Sequence, residues 1–242
     1  MVEAPAYTAF APVYDSAMAQ VPYEKWAIFI YYLFSQLGLR RDETVVDLGC
    51  GTGRLTELLR EFYPHIIGLD LSSAMLREAQ QRSLHRLVRG NIQALPFRPN
   101  SLGAALATHD VVNYLENNAA LLAHLREVYQ VLKPKGYYLF DTSTEENVLR
   151  YYHKKLFREY HNGTELLWYN EYHAEQRLIC SRLTFRNKKQ IFCEEHRQCI
   201  FSLSQIRRSA HSAGFRVIKE FADYSFLKRK NARLYGFLLQ KT

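Results

Sequence analysis

The stretch that most constrains how this chain can fold is residues 44–53, which read TVVDLGCGTG. Its first five residues are β-branched or apolar except for Asp47, as a strand buried on both faces requires. Gly49, Gly51 and Gly53 then alternate into a helical pattern, and glycines let the backbone turn sharply and approach a ligand closely. Because free N–H groups at a helix start attract anionic groups, this order of strand, glycine loop and helix predicts a nucleotide-like ligand.

Two departures separate this loop from other nucleotide-binding loops. The dinucleotide fingerprint G-x-G-x-x-G would place its third glycine at position 54, which is Arg54, and no Lys-Ser or Lys-Thr pair follows as in a P-loop. The carboxylate of Asp47 would repel a pyrophosphate, but it suits a ligand that carries an ammonium and a sulfonium. Residues 45–53 resemble motif I of the class I S-adenosylmethionine (SAM) dependent methyltransferases, with a glycine-rich turn that binds no ligand as the alternative.

The resemblance implies the Rossmann-like class I methyltransferase fold. This is a single α/β domain over residues 1–242, in which a seven-stranded, mostly parallel sheet carries helices on both faces. The resemblance extends over residues 44–141 and includes the turn L-K-P-K-G before the fifth predicted strand. A helix near 204–213 and strands at 216–221 and 234–240 would complete this core.

Between the fifth strand and that last helix, the sequence predicts structure that the core does not need. A short basic helix is expected over residues 148–157, and three runs rich in strand-forming residues follow at 165–173, 177–186 and 190–201. These runs predict an antiparallel β insertion over residues 160–203. In related small-molecule methyltransferases an insertion here forms a lid or floor over the substrate, so the resemblance implies the same role in this chain.

The N-terminal residues 1–40 are rich in aromatic side chains and are predicted as a helical flap. A helix is expected over residues 23–37, and core packing accounts for its apolar residues at helical spacing. Residues 10–15, with the pattern F-A-x-x-Y-D, are similar to segments of bacterial SAM methyltransferases that form a flap over the cofactor. That similarity implies that Tyr14 faces the active site, with an ordinary packing tyrosine as the alternative.

Candidate cofactor-binding residues follow the glycine loop along the chain. Asp70 closes the second predicted strand about twenty residues beyond the loop, where nucleotide-binding βαβ units hold a ribose hydroxyl pair. At Asn91 the related enzymes usually carry an acid for the adenine amino group, and an amide still accepts that N–H, with Ile92 packing on the ring. SAM and its product S-adenosylhomocysteine are the expected ligands of Asp47, Gly49, Cys50, Gly51, Gly53, Asp70, Leu71, Met75, Asn91, Ile92 and Thr108.

The buried run at residues 102–107 leads into the segment expected to border the transferable methyl group, because chemistry in a doubly wound sheet lies outside the carboxyl ends of its strands. The candidates are the polar and aromatic residues of this segment, His109, Asp110, Asn113 and Tyr114. The pattern leaves open which of them face the substrate. A general base is needed only for a nucleophile that arrives protonated, and His109, Asp110 or Tyr14 could then take or orient the proton.

The predicted insertion adds one more catalytic candidate. Residues 194–197 resemble an E-x-H pattern in the lids of such enzymes, which points to His196, with a satisfied surface histidine of the sheet as the alternative.

No metal is expected, because strand alternation puts Cys193 and Cys199 on one face of the strand and His196 on the other. The four cysteines form no C-x-x-C pair and are expected as free thiols in a reducing compartment.

The net charge of +8 is unevenly distributed. Residues 1–149 carry 13 Lys and Arg against 16 Asp and Glu, whereas residues 150–242 carry 19 against 8, a net charge of +11. The excess favours an anionic partner for the C-terminal part, although a run such as Lys228-Arg229-Lys230 is also typical of a solvated face.

The sequence contains no signal-peptide pattern and no long apolar run, so a cytoplasmic protein without membrane contact is expected, as a monomer or a homodimer.

Three functions are compatible with these patterns. We expect first a SAM-dependent methyltransferase that transfers a methyl group to an N or O nucleophile of a small-molecule acceptor. The second is an RNA methyltransferase, acting on tRNA or rRNA, whose basic C-terminal part runs along phosphates. The third is a non-catalytic SAM binder, or an enzyme that uses a SAM derivative such as carboxy-SAM. The lack of an N-P-P-Y or D-P-P-Y tetrapeptide counts against the family that methylates exocyclic amines of bases or glutamine amides.

Overall fold

The computed structural model describes residues 1–188, 190–227 and 232–242, so the basic run Lys228-Arg229-Lys230 lies outside the described residues. The helices, in chain order, are α1 (Ala11–Ala17), α2 (Tyr23–Gln36), α3 (Arg54–Arg60), α4 (Ser73–Gln81), α5 (Asn118–Val131), α6 (Glu145–Tyr151) and α7 (Leu203–Ser212), with a 3-10 turn at Val111–Tyr114. The strands are β1 (Val2–Glu3), β2 (Val45–Leu48), β3 (Ile67–Asp70), β4 (Leu87–Arg89), β5 (Leu102–Ala107), β6 (Leu132–Ser143), β7 (Lys155–His161), β8 (Thr164–His173), β9 (Leu178–Arg186), β10 (Ile191–Cys199), β11 (Phe215–Ala222) and β12 (Leu234–Lys241). Within the described ranges, no helix is both long and apolar enough to cross a bilayer.

The central sheet has seven strands in the order β11-β12-β6-β5-β2-β3-β4. Strands β6, β5, β2, β3 and β4 pair in parallel, and β12 runs antiparallel to both of its neighbours. Apolar side chains of α2 and α3 cover one face of this sheet, and those of α5 and α7 cover the other. The predicted mostly parallel α/β sheet with helices on both faces is confirmed, since β2 and β5 are buried along their whole length as such a sheet requires.

A second sheet, which we call the insertion sheet, has five strands in the order β1-β10-β9-β8-β7. Strands β7 to β10 pair antiparallel in chain order, and the short β1 pairs in parallel with β10. The runs predicted at 165–173, 177–186 and 190–201 correspond to β8, β9 and β10 within one or two residues. Neither β1 nor β7 is predicted from the sequence.

The helix predicted over residues 148–157 begins and ends earlier in the chain than expected, and residues 155–157 belong to a strand instead. Helix α6 ends at Tyr151, and β7 begins at Lys155 and pairs with β8 along its whole length. The two strands are joined by Asn162 and Gly163, which have φ values of 50° and 77°. A two-residue loop with positive φ at both positions matches the twist of paired strands and favours Asn-Gly, so the local sequence already carries the hairpin signal.

The region predicted as a flap contains two parts that pack differently. We call residues 1–18 the N-terminal segment, and its helix α1 packs Phe10 and Val13 against the inner face of the insertion sheet. On its other side, Ala11 contacts Met75 of α4. Helix α2 instead packs on the central sheet through the apolar stripe that includes Trp26, as predicted for that helix. Only the N-terminal segment therefore lies between the insertion sheet and the cofactor end of the core.

Candidate active site

The glycine loop joins β2 to α3 at the carboxyl end of the central sheet. Gly49 and Gly51 have φ values of 70° and 56°, which strain any residue with a side chain. A Cβ on Gly49 would lie 2.6 Å from Val111, and one on Gly53 would lie 2.5 Å from Leu84, but a Cβ on Gly51 would meet no atom within 4 Å. The backbone at Gly51 is therefore open to close approach by a ligand, whereas Gly53 packs against its neighbours.

A cleft opens beside this loop and gathers most of the predicted cofactor residues of β2, the glycine loop and the end of β5. The residues that line it are Tyr14, Tyr23, Asp47, Gly49, Cys50, Gly51, Thr52, Arg54, Leu55, Thr108 and His109. Residues from the N-terminal segment and from the segment after β5 thus meet the glycine loop in one place. The cleft lies at the carboxyl ends of β2 and β5, where an open α/β sheet binds its ligands.

Asp70 reaches this loop from the end of β3. Its Oδ2 accepts the N–H of Gly51 at 2.9 Å, and its Oδ1 accepts the N–H of Ser72 at 2.8 Å. Burial raises the pKa of Asp70, and the N–H groups of Ser72 and Gly51 oppose that shift. Because each carboxylate oxygen can accept a further hydrogen bond, Asp70 fits a ligand with two adjacent hydroxyls, such as a ribose.

Asp47 is buried at the other side of the loop, in β2. The Thr56 hydroxyl donates to its Oδ2 at 2.6 Å. Burial raises the pKa of Asp47 to about 7 against the opposing effect of Thr56, and Asp70 raises it further. Among the residues that the structure describes, no basic side chain contributes to this pKa, so the charged form of the carboxylate lacks the counter-ion that a buried charge needs. The ammonium of SAM is a group that would supply it.

The adenine side of the predicted site is more open. Leu71 is 62% exposed, and Asn91 is exposed with its Oδ1 accepting the N–H of Gln93 at 2.9 Å. Ile92 packs on the central core, and Met75 is buried beneath α1. None of the four predicted residues lines the cleft, and Met75 fills the contact between α1 and α4.

Helix α1 is tied to the glycine loop through Asp15. Its Oδ1 accepts the hydroxyl of Thr52 at 2.6 Å, and its Oδ2 pairs with the guanidinium of Arg82. Arg82 also pairs with Glu57 of α3 at 3.0 Å and donates to the carbonyl of Thr52 at 2.9 Å. This network holds the N-terminal segment against the loop that is predicted to bind the cofactor.

Asp141, at the end of β6, organises the segment that follows β5. Its two carboxylate oxygens accept the N–H of His109 at 2.8 Å and the N–H of Asp110 at 2.6 Å, and the Tyr224 hydroxyl donates to it as well. His109 and Asp110 are consecutive left-handed residues, with φ values of 61° and 55°, a conformation that persists only where surrounding contacts enforce it. Burial raises the pKa of Asp141 to about 6 in spite of these three bonds. Sequence reasoning took Asp141 only as the end of a strand, although an acid that closes a strand is also the signal used for Asp70.

His109 lies between the cofactor cleft and the N-terminal segment. Its Nδ1 forms a hydrogen bond with the hydroxyl of Tyr14 at 3.2 Å, and its ring meets the edge of Trp26. Burial lowers the pKa of His109 to about 4, so the ring is neutral near pH 7. The predicted catalytic pair Tyr14 and His109 is therefore in contact, with a neutral imidazole beside a phenol whose pKa burial raises.

Asp110 is half-buried beyond His109, between the core and the insertion sheet. Gln198 of β10 donates its Nε2–H to Oδ1 of Asp110 at 3.1 Å. Burial raises the pKa of Asp110 to about 8, and the nearby carboxylate of Asp141 raises it further. Its charge in turn helps to raise the pKa of Tyr7 and of Tyr114, so a phenol of the N-terminal segment and one of its own segment lie within its electrostatic reach.

A chain of hydrogen bonds runs from the N-terminal segment into the insertion sheet. The hydroxyls of Tyr7 and Tyr114 are 2.6 Å apart, and Tyr114 bonds Nδ1 of His196 at 2.9 Å. The opposite nitrogen of His196, Nε2, bonds Oε2 of Glu194 at 3.0 Å. His196 is 5% exposed, so the interpretation as a surface histidine is wrong, and the E-x-H spacing instead puts Glu194 and His196 on the same inner face of β10.

Glu194 is the residue that joins the N-terminal segment to β10. Its carboxylate is 0% exposed and accepts the backbone N–H of Tyr7 at 2.8 Å, that of Phe10 at 3.1 Å and that of Ala9. Four donors, with His196, surround this one carboxylate, as a buried charge requires. Sequence reasoning missed Tyr7 and Glu194 as site residues, because their partners are more than 100 positions away in the chain.

Asn113 is not a substrate residue in this structure. Its side-chain amide donates to the carbonyl of Cys199 at 2.6 Å, and its Oδ1 accepts the N–H of Ser143 at 2.9 Å and the hydroxyl of Thr142 at 3.1 Å. Asn113 is fully buried and joins the end of β6 to the end of β10.

The four cysteines are free thiols, and in the described part of the chain no three His, Cys, Asp or Glu residues are grouped to hold a metal.

Known protein families and curated proteins that match this chain are methyltransferases. The family model described as "Methyltransferase domain" matches residues 46–140. A Bacillus subtilis (strain 168) protein named "Putative methyltransferase YqeM" is 24% identical over 227 residues, which cover 90% of this chain and 90% of that protein. These matches include the glycine loop, Asp70 and the segment after β5.

Solved structures resemble the whole chain, including the insertion sheet. An S-adenosylmethionine-dependent methyltransferase from Clostridium acetobutylicum ATCC 824 is 26% identical, with a TM-score of 0.85 over 97% of this chain and 98% of the other. The sugar N-methyltransferase KedS8 from Streptoalloteichus sp ATCC 53650 is 16% identical, with a TM-score of 0.74 over 95% of this chain and 93% of the other. At the lower identity the likeness concerns the fold.

Proposed function

The chain belongs to the class I SAM-dependent methyltransferases, and we propose that it transfers the methyl group of SAM to a nitrogen or oxygen nucleophile of a small-molecule acceptor. The acceptor lies between the carboxyl end of the central sheet and the insertion sheet. The observation that supports this proposal is the enclosure of that region from three directions. Tyr7 and Tyr14 come from the N-terminal segment, Asp110 from the segment after β5, and His196 and Gln198 from β10.

Bound SAM supplies a methyl group on a positively charged sulfur, which a nucleophile attacks while the methyl–sulfur bond breaks and its electron pair stays on sulfur. The chain has to hold the reactants in line and keep water out, since the electrophile is already activated. Asp70 binds the ribose, and Asp47 binds the ammonium. Tyr14 and His109 stand at the junction of the cofactor cleft and the acceptor region, where they orient the nucleophile.

The distribution of charge supports a small acceptor over RNA. Although residues 150–242 carry most of the positive charge, many of their basic groups are engaged within the chain. Arg158 and Arg186 pair with Glu165, and Arg207 pairs with Glu220. Cations that already have carboxylate partners release fewer counterions when a phosphate backbone binds. The sugar N-methyltransferase KedS8, which acts on a small molecule by its name, shares the architecture over 95% of this chain.

The experiment is a transfer assay with methyl-labelled SAM. The purified protein receives, in separate reactions, a small-metabolite extract and total RNA, and labelled products are separated by size. We expect label in the small-metabolite fraction and none above background in RNA. Label confined to RNA, with binding that weakens steeply as salt is raised, would contradict the proposal and favour the RNA methyltransferase.

A further inference from the structure

Asp110 is a half-buried carboxyl group without a counter-ion in the described part of the chain. Its Oδ1 accepts one bond from Gln198, and no Lys or Arg contributes to its pKa. Arg233 lowers the pKa of the neighbouring Tyr152, but it has no share in that of Asp110. Asp141, the nearest charged group, has the same sign and is already occupied by His109, the Asp110 backbone and Tyr224.

The groups that lie within electrostatic reach of Asp110 share one chemical character. They include the phenols of Tyr7 and Tyr14 from the N-terminal segment, that of Tyr114 from the 3-10 turn, that of Tyr152 just after α6, and that of Tyr224. From β10 the group is the neutral amide of Gln198. All of these groups are neutral near pH 7, so none of them supplies a positive charge to the carboxyl group of Asp110, and no ion pair in the described part of the chain does so either.

We propose that the methyl acceptor is an amine and that the carboxylate of Asp110 binds its nitrogen. This inference rests on the proposed function and names the acceptor class at that site. An ammonium supplies the missing counter-ion and can donate to Asp110, whereas a carboxylate or phosphate acceptor offers Asp110 no counter-ion and would be repelled by Asp141, whose pKa of about 6 leaves it ionised near pH 7.

Asp110 also accounts for the proton that an amine must lose before it can react. The ammonium N–H bond breaks with its electron pair left on nitrogen, and the proton passes to a carboxylate oxygen of Asp110. The freed lone pair forms the new carbon–nitrogen bond as the methyl–sulfur pair leaves with sulfur, and the proton on Asp110 is later released to water. Burial favours this exchange, since it raises the pKa of the carboxyl to about 8 and lowers that of an ammonium.

The first test uses the wild-type protein, so it does not depend on the folding of a variant. The small-metabolite extract is treated with the amine-selective reagent sulfo-N-hydroxysuccinimide acetate, quenched, and offered with methyl-labelled SAM beside a mock-treated extract. We expect amine acetylation to lower label incorporation at least tenfold. Unchanged incorporation after acetylation would overturn the inference while leaving the proposed function intact. Label in RNA with none in the mock-treated extract overturns the proposed function, and the inference with it.

The second test assigns the role to Asp110. Asp110→Asn keeps the oxygen that accepts from Gln198, and Asn tolerates the left-handed backbone at this position. We expect SAM affinity by calorimetry within twofold of wild type, and KM for the fractionated acceptor raised roughly 10- to 100-fold, as for the loss of a charge-assisted bond. Asp42→Asn, which removes one exposed carboxylate outside the site, is the matched control and should leave both values unchanged. A loss of SAM affinity in Asp110→Asn with an unchanged KM for the acceptor would make Asp110 the partner of the sulfonium and overturn the inference.

Discussion

Replacing Asp141 by asparagine should disrupt the segment after β5, because both carboxylate oxygens are used there. One oxygen accepts the N–H of His109 at 2.8 Å and the other accepts the N–H of Asp110 at 2.6 Å. An asparagine offers one oxygen and one NH₂ group, so one of the two backbone N–H groups faces a donor. The buried N–H then has no acceptor, and the left-handed pair loses one of the bonds that hold it.

The magnitude follows from the kind of bond that is lost. A hydrogen bond to a charged group contributes about 1.5 to 3 kcal/mol, and a buried donor left without a partner costs about 1 to 3 kcal/mol. Removing the Asp141 charge also relieves its repulsion with Asp110, which offsets part of that cost. We expect Asp141→Asn to lower the free energy of unfolding by about 2 to 3 kcal/mol at pH 7. For a chain of this length that corresponds to a Tm lower by roughly 4 to 12 °C.

Denaturant unfolding followed by circular dichroism measures this change, with Asp42→Asn as the control for the loss of one exposed carboxylate. A second readout distinguishes the local mechanism from general destabilisation. Without the neighbouring charge, the pKa of Asp110 should fall, and the pH at which activity rises should fall with it. An Asp141→Asn protein as stable as the Asp42→Asn control would refute the reasoning.

Three further outcomes are expected. Asp70→Ala should weaken SAM binding roughly 30- to 100-fold by calorimetry, since about 2 to 3 kcal/mol of charge-assisted bonding is lost, and an unchanged affinity would remove Asp70 from the ribose site. The free energy of unfolding without SAM should fall between pH 6.5 and 8. In the folded protein Asp110 and Asp47 have pKa values of about 8 and 7, so they still hold protons in this range, whereas the same carboxyl groups in the unfolded chain lose theirs near 3.8. The folded state therefore binds more protons than the unfolded state, and raising the pH destabilises it. At about 1.4 kcal/mol per pH unit Asp110 alone accounts for about 2 kcal/mol. Unfolded histidines lose their protons near 6.5, whereas folded His109 has a pKa of about 4, so this residue opposes the fall only at the start of the window. A stability independent of pH in denaturant titrations would contradict the assignment. Glu194→Gln should speed amide hydrogen exchange at residues 7–10, since three of those N–H groups donate to its carboxylate, and unchanged exchange would show that other contacts hold the segment.

Much of the core could be predicted because its signals are local. The glycine alternation at residues 49–53 and the acid Asp70 at a strand end each act within a few positions of the feature they define. The buried run of β5 was predicted with its observed bounds, since a fully buried parallel strand has a distinctive apolar sequence. The L-K-P-K-G sequence begins β6, the strand that carries Asp141 near its end.

The acceptor side could not be predicted in the same way, because its contacts join distant parts of the chain. Glu194 binds the N–H of Tyr7 across 187 positions, and no local pattern encodes that pairing. Whether His196 is exposed or buried depends on which face of β10 meets the N-terminal segment, and strand alternation gives the two faces but does not orient them. The error at β7 has a different cause, since the Asn162-Gly163 pair is a local signal that the helical interpretation overlooked.

The hydrogen bonds between Glu194 and residues 7–10 also constrain the order in which contacts can form during synthesis on the ribosome. Residues 7–10 leave the exit tunnel about 187 residues before their partner strand, which at roughly 5 to 20 residues per second is a delay of roughly 10 to 40 s. During that time the aromatic N-terminal segment has no sheet to pack against, although the parallel strands β2 to β6 can already pair with one another. Strand β10 leaves the tunnel before β11 and β12, so the N-terminal segment can dock on the insertion sheet while the central sheet still lacks its last two strands. The enclosure on the acceptor side can therefore form before the Tyr224 hydroxyl reaches Asp141, the residue that orients the segment after β5.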